Sequence, residues 1–288
     1  NPYASAIDMR NITRTNASAM FYVWDPRLTN GVNGGVYGRG AFQLFTFDGT
    51  NYRVMPGTGS YGAAGTVDNN IESGSAFFVQ SIGAGAGSVA FNESSKTDGS
   101  RPVFRGGAGT AERFMSILEA MTPTGEATMD GIMLDFAADN SNDVNGDDGI
   151  KMDNAGENIA ILKAGQEMMF ERHGTIVDAD TVFVKMTNMR QQPYRFKLLV
   201  ENMAKPGLSA WLIDKYLNAS TPVDLVAGGY YNFEVNSDAG SSASDRFMIV
   251  FKLATVVPVK IVSIAAERNA DETITVNWKV ENETNIAR

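Results

Sequence analysis

The sequence has no cysteine. Disulfide staples and thiolate metal sites are therefore excluded, and stability has to come from a packed core. It has one histidine, His173. A multi-histidine zinc centre is excluded, and any Ser-His-Asp triad would have to run through that residue. No G-x-S-x-G elbow occurs to supply the nucleophile. Basic residues are outnumbered, 24 Lys and Arg against 33 Asp and Glu, for a net charge of -9. Nucleic acid needs basic patches and is excluded as a partner. No apolar run approaches the roughly 18 residues of a membrane-spanning helix, so no transmembrane segment is expected. No signal peptide opens the chain. Asn1 stands where a methionine would, so the translated start is expected to lie elsewhere.

What is present is a β pattern. A chain of 288 residues with 43% hydrophobic content is long enough for about two domains at roughly 150 residues each. Gly207 to Lys252 is the clearest stretch. Leu208, Trp211 and Ile213 open it, Tyr231, Phe233 and Val235 alternate, and Phe247, Ile249 and Phe251 alternate again. Alternation at period two places each set on one face of a sheet. Turns are expected at Asn218–Pro222, at Gly228-Gly229 and over Asn236–Asp245.

Earlier strands are expected at Met20–Trp24, Phe42–Phe47, Tyr52–Met55, Phe77–Gln80 and Val89–Phe91. A hairpin turn falls at Asp48-Gly49, and Asn30–Gly40 reads as a Gly/Asn-rich loop. Arg105–Thr110 reads as the junction of two halves. Beyond it come Phe114–Leu118, Gly125–Phe136, Ile159–Leu162, Glu167–Phe170, Thr181–Met186 and Tyr194–Glu201. Phe114, Ile117 and Leu118 also have helical spacing, which makes a helix at Ala111–Ala120 the alternative there. Short strands punctuated by turn clusters predict an all-β protein of two β-sandwich (jelly-roll-like) subdomains, 1–106 and 107–254. Residues 255–288 form a third segment, a linker and strands that include Thr273–Val280. Two strands do not make a stable domain.

The acidic loop after Phe136 is the candidate metal site. Asp143, Asn145 and Asp147 take positions 1, 3 and 5 of an oxygen-ligand loop of the kind that wraps Ca²⁺, with Asp139, Asp148 and Asp153 as further carboxylates. The glycine falls seventh, at Gly149, and position 12 is Asn154. Asx residues favour turns without any metal. No other cofactor is implied. His173, in Glu171-Arg172-His173-Gly174, reads as a hairpin tip. Tyr22, Trp24, Trp211, Tyr230 and Tyr231 would form a sugar-stacking platform if exposed together, although aromatics in alternating strands usually belong to the core. Acidic pairs suited to glycoside hydrolysis do not stand out, and no enzymatic activity is expected.

NPYASAID, FYVWDP, SGSAFFVQ, VAFNESSKT, AWLIDKYLN and DRFMIVFK occur in that order. Together they resemble a β-rich module of large Bacteroidetes surface proteins exported by the type IX secretion system. The last stretch, VPVKIVSIAAERNADETITVNWKVENETNI, resembles the start of a fibronectin type III-like domain. Ser75 stands where that family usually has glutamine, and the family's leading strand and terminal sorting signal are absent. The resemblance implies an extracellular or outer-surface location, with flanking domains of a parent polypeptide as partners. It implies no activity. It also makes Thr181, in Asp180-Thr181-Val182, a candidate O-glycosylation site; the same residues read as the start of a strand.

Two functions follow as expectations. One is a non-enzymatic structural or adhesive module, with self-assembly by β-strand addition through Val256, Val259, Ile261, Ile274, Val276 and Trp278. The other is a carbohydrate-binding accessory module with a surface glycan as partner.

Overall fold

The computed structural model describes residues 1, 3–28, 40–97, 112–123, 125–254 and 260–281. The loop 30–39, the expected junction Arg105–Thr110, and Val256 and Val259 lie outside the described residues.

The protein is all-β. The first part carries β1 (Ala6–Asp8), β2 (Thr13–Thr15), β3 (Ala17–Asp25), β4 (Ala41–Phe47), β5 (Tyr52–Met55), β6 (Asn70–Ile71), β7 (Phe78–Ser81), β8 (Ser88–Ala90) and β9 (Lys96–Thr97). Strands β5-β4-β3-β7 form a four-stranded antiparallel sheet, and β6-β1-β9 and β2-β8 form two small ones. Ile7, Met9, Phe21, Phe45, Tyr52 and Ile71 make their shared core. The β4–β5 hairpin turns at Asp48-Gly49 as the sequence predicts. Asp48 Oδ1 accepts the N–H groups of Thr50 and Asn51, and Gly49 sits at φ +96.

The second part carries β10 (Glu112–Thr122), β11 (Gly125–Phe136), β12 (Gly149–Ile150), β13 (Asn158–Lys163), β14 (Gln166–His173), β15 (Thr181–Thr187), β16 (Pro193–Glu201), β17 (Leu208–Asp214), β18 (Ala219–Val223), β19 (Gly229–Glu234) and β20 (Phe247–Leu253). They form one sheet in the order β18-β17-β20-β15-β13-β14-β11-β10-β16-β19, with β12 off this path and paired to β14. The sheet folds over on itself into a sandwich. Phe251 of β20 stacks edge-on against Phe114 of β10 and Phe136 of β11, and Phe247 against Phe196 of β16 and Phe233 of β19. One pairing departs from a wholly antiparallel jelly roll: β11 runs parallel to β14.

The inward set on β19 and β20 is the one the alternation predicts, with Phe247, Ile249 and Phe251 buried. On β17 the phase is opposite. Ala210, Leu212 and Asp214 point inward, while Trp211 and Ile213 face the other side. The large aromatic biases the reading towards Trp211, but small Ala210 fits beneath the facing layer.

Strands β10 and β11 are buried on both faces. Phe114 and Leu118 enter the sandwich core, while Met115 and Ile117 face the first part. This two-sided burial produces the helical-looking spacing of Phe114, Ile117 and Leu118 inside a strand. Met20, Tyr22, Leu44 and Met55 of the first part join Met115, Ile117, Met133, Met169 and Phe170 of the second in a third core cluster. The two parts are thus packed together through a continuous apolar interface. Glycines allow the close approach. A Cβ on Gly131 would stand 2.8 Å from Pro56 Cβ, and one on Gly149 would stand 3.1 Å from Met20 Sδ.

The last element is a hairpin of β21 (Lys260–Arg268) and β22 (Ile274–Glu281), which pair with each other.

Candidate functional site

The six candidate metal ligands are not gathered. Asp139, Asp143, Asn145, Asp147 and Asp153 are exposed, and Asp148 alone is buried. Asp148 Oδ2 accepts the Asn145 N–H and Oδ1 the Arg172 N–H, each at 2.9 Å. Asn145 Oδ1 accepts the Asp147 N–H at 2.7 Å. The loop is therefore a run of Asx turns pinned to β14 by the buried carboxylate. Burial pushes the Asp148 carboxyl up, against the pull of those two N–H groups. Among the described residues no group of three or more His, Asp or Glu side chains is placed to hold a metal ion.

His173 is not a hairpin tip. It ends β14, opposite Phe136 on the parallel strand β11, with the rings 5.4 Å apart and Nδ1 3.1 Å from Gly174 O. The Glu171–Gly174 stretch misleads because a polar run ending in glycine marks a strand exit as readily as a turn. Thr181 begins β15, half-buried, and its Oγ1 donates to Ala179 O.

The five candidate stacking aromatics are dispersed. Tyr22 is buried in the cluster between the two parts, and its Oη donates to Ile150 O at 2.9 Å. Trp24 is 38% exposed and packs edge-on against Phe42, which in turn meets Phe78. Trp211 lies under the ammonium of Lys252, and Tyr230 beneath the guanidinium of Arg195. Tyr231 turns inward and donates to Asp214.

The hairpin carries the strand-exchange candidates among the described residues, Ile261, Ile274, Val276 and Trp278. Cross-strand register sets Ile264 opposite Trp278, Ala266 opposite Val276 and Ile261 opposite Val280. This face is open: Ile264 is 63%, Ile274 67% and Trp278 67% exposed. Ser263, Ala265, Glu267, Thr275, Asn277 and Lys279 take the alternate positions on the two strands. A two-stranded ribbon with one bare apolar face lacks the covering layer such ribbons need.

Two buried ion pairs were not legible in the sequence. Lys151 Nζ meets both oxygens of Asp130, at 2.7 and 2.6 Å, with side-chain exposures of 1% and 0%. Arg246 meets Asp214 in the sandwich core, with exposures of 1% and 0%. A third buried acid, Glu157, accepts from Tyr194 Oη, Arg190 Nε and Gln192 Nε2 and fixes the turn before β16. Sequence carries no periodic signal for such partners, because nothing in spacing says which turns meet.

Residues 1–251 match the model of a family described as Domain of unknown function (DUF8693). The chain belongs to this family. No curated protein and no solved structure matches it. The DUF8693 match takes in both packed parts, with the apolar cluster between them, and ends within β20. The hairpin with the open apolar face lies beyond the match.

Proposed function

We propose that this DUF8693 protein is a non-enzymatic structural or adhesive module of a secreted or surface-displayed bacterial protein, and that it assembles through its C-terminal hairpin. The observation that carries the reading is the bare face of Ile264, Ile274, Val276 and Trp278 on a ribbon attached to a densely packed body. Such a face gains about 25 cal/mol for each Å² it hides, so an added strand or sheet from a neighbouring domain or a second chain is its natural cover. The large buried charges of the body support the same reading. Arg246, Lys151 and Glu157 are spent on fixing turns and layers. The extracellular setting rests on the resemblance of the ordered motifs.

The test is the native mass and negative-stain appearance of the chain against a Trp278→Ser/Ile264→Ser variant. Concentration-dependent oligomers or filaments are expected for the wild type and not for the variant. A wild type that stays monomeric at all concentrations overturns the assembly reading.

A glycan-binding reading is favoured by one place. Trp24 and Phe78, 38% and 52% exposed, flank Phe42 beside a polar cleft lined by Asp25, Ser60 and Ser75. Its test is glycan titration followed by Trp24 fluorescence. Saturable binding lost in Trp24→Ala supports it, and no change in fluorescence across neutral and acidic glycans sinks it.

A further inference from the structure

We infer that Lys151 and Asp130 are the two halves of an intramolecular amide cross-link, with Lys151 Nζ joined to Asp130 Cγ and one water lost. This goes beyond the assembly reading and concerns the body of the protein. Contact comes first. Nζ lies 2.7 Å from Oδ1 and 2.6 Å from Oδ2. Both partners are held by backbone. Asp130 sits in β11 opposite Leu118, and the Lys151 N–H donates to Glu167 O at 2.8 Å. Holding an amine against a carboxyl in this way supplies the orientation that an encounter in solution lacks.

The surroundings favour the product. The two side chains are 1% and 0% exposed. A buried ion pair repays its desolvation poorly, whereas an amide carries no net charge and leaves one N–H and one C=O to satisfy. The Ile159 N–H already donates to Oδ2 at 2.7 Å. That places a fixed donor on the oxygen that becomes an oxyanion during attack and the amide oxygen afterwards. Burial also pushes the Asp130 carboxyl up, against the charge of Lys151, towards the protonated acid that the step consumes.

The step balances within the pair. The lone pair of the neutral amine forms the Nζ–Cγ bond. A proton passes from Nζ to Oδ1, the Cγ–Oδ1 bond breaks, and Oδ1 leaves as water. Nothing is oxidised or reduced, and no further reactant is needed. Nζ has to stand above the carboxyl plane, a movement of the flexible Lys151 side chain that leaves Oδ2 on the Ile159 N–H. The resulting ring, 130–151, ties the acidic loop and β12 covalently to β11, next to the interface between the two parts.

The experiment is the intact mass of the denatured full chain, followed by tryptic mapping. No Lys or Arg lies between Arg113 and Lys151. An uncross-linked chain therefore gives the peptide 114–151. The cross-link blocks cleavage at Lys151 and gives 114–163, lighter by one water and unchanged by mild alkali. A Lys151→Arg variant is expected at its full sequence mass, with cleavage after position 151, and this readout does not depend on its folding. A wild type at full sequence mass overturns the inference. So does a lost water with Lys151 still cleavable, which marks a succinimide at one of the Asp-Gly steps, Asp48-Gly49, Asp98-Gly99, Asp130-Gly131 or Asp148-Gly149.

Discussion

Arg246 and Asp214 meet fork to fork inside the sandwich, with Nη2 2.7 Å from Oδ2 and Nε 3.0 Å from Oδ1. Arg246 comes from the turn before β20 and Asp214 from the end of β17. The same guanidinium donates to Glu234 O and Ser241 O, and Tyr231 Oη of β19 donates to Asp214 Oδ2. One pair thus joins β17, β19 and the turn 236–245. Removing one partner leaves an uncompensated buried charge. Arg246→Met is expected to lower unfolding free energy by about 3–5 kcal/mol, and Arg246→Met/Asp214→Leu to recover much of it. Urea denaturation of the single and double variants measures this, and equal losses in both would refute the pairing argument.

The same carboxylate sets a pH dependence. Burial pushes Asp214 up, but hydrogen bonds from Arg246, the Leu217 N–H and Tyr231, with the Arg246 charge, outweigh it and hold the group below its ordinary value. The unfolded chain therefore takes up this proton first as pH falls. The contribution is complete above the unfolded value of about 3.9 and is lost as pH drops through the lower folded one. Asp214→Asn is expected to flatten the acid limb of the stability curve between pH 5 and 2, relative to the wild type. Parallel curves would remove Asp214 from the acid response.

Gly131 governs how closely the two parts approach. A Cβ there would meet Pro56 Cβ at 2.8 Å and Ile117 Cδ1 at 3.1 Å. Gly131→Val is expected to destabilise by about 1–3 kcal/mol, and Gly131→Ala by less. Chemical denaturation reads the difference. Unchanged midpoints for both would mean that the apolar cluster of Met55, Ile117 and Met133 does not form in solution.

Asp148 holds the acidic loop by accepting two backbone N–H groups. Asp148→Ala leaves both donors without that acceptor and is expected to cost about 1–3 kcal/mol, with or without Ca²⁺. Melting curves in EDTA and in millimolar Ca²⁺ decide the matter. A Ca²⁺-dependent rise in the wild type that the variant lacks would assign the loop a cation.

The sequence by itself determined the all-β class, most strand positions and several turns; Asn218–Pro222, expected as a turn, instead lies almost wholly in β18, paired to β17, because the turn comes earlier in the chain. Alternation in Tyr231-Phe233-Val235 and in Phe247-Ile249-Phe251 is a local property, imposed by a side-chain period of two. Ile274, Val276 and Trp278 were likewise legible as one face of a strand. Only the tertiary structure decided what each face meets. Period two says that Met115 and Ile117 share a side of β10, but not that the first part covers it. It says nothing of the phase that turns Ala210 rather than Trp211 inward. It could not bring Lys151 to Asp130 or Arg246 to Asp214, because each pair is made where strands distant in sequence pair: Asp214 stands opposite Phe247, next to Arg246, in the β17–β20 register, and Lys151 follows β12, which pairs with β14 beside β11. Contacts between distant segments depend on the path of the backbone, and no local pattern encodes that path.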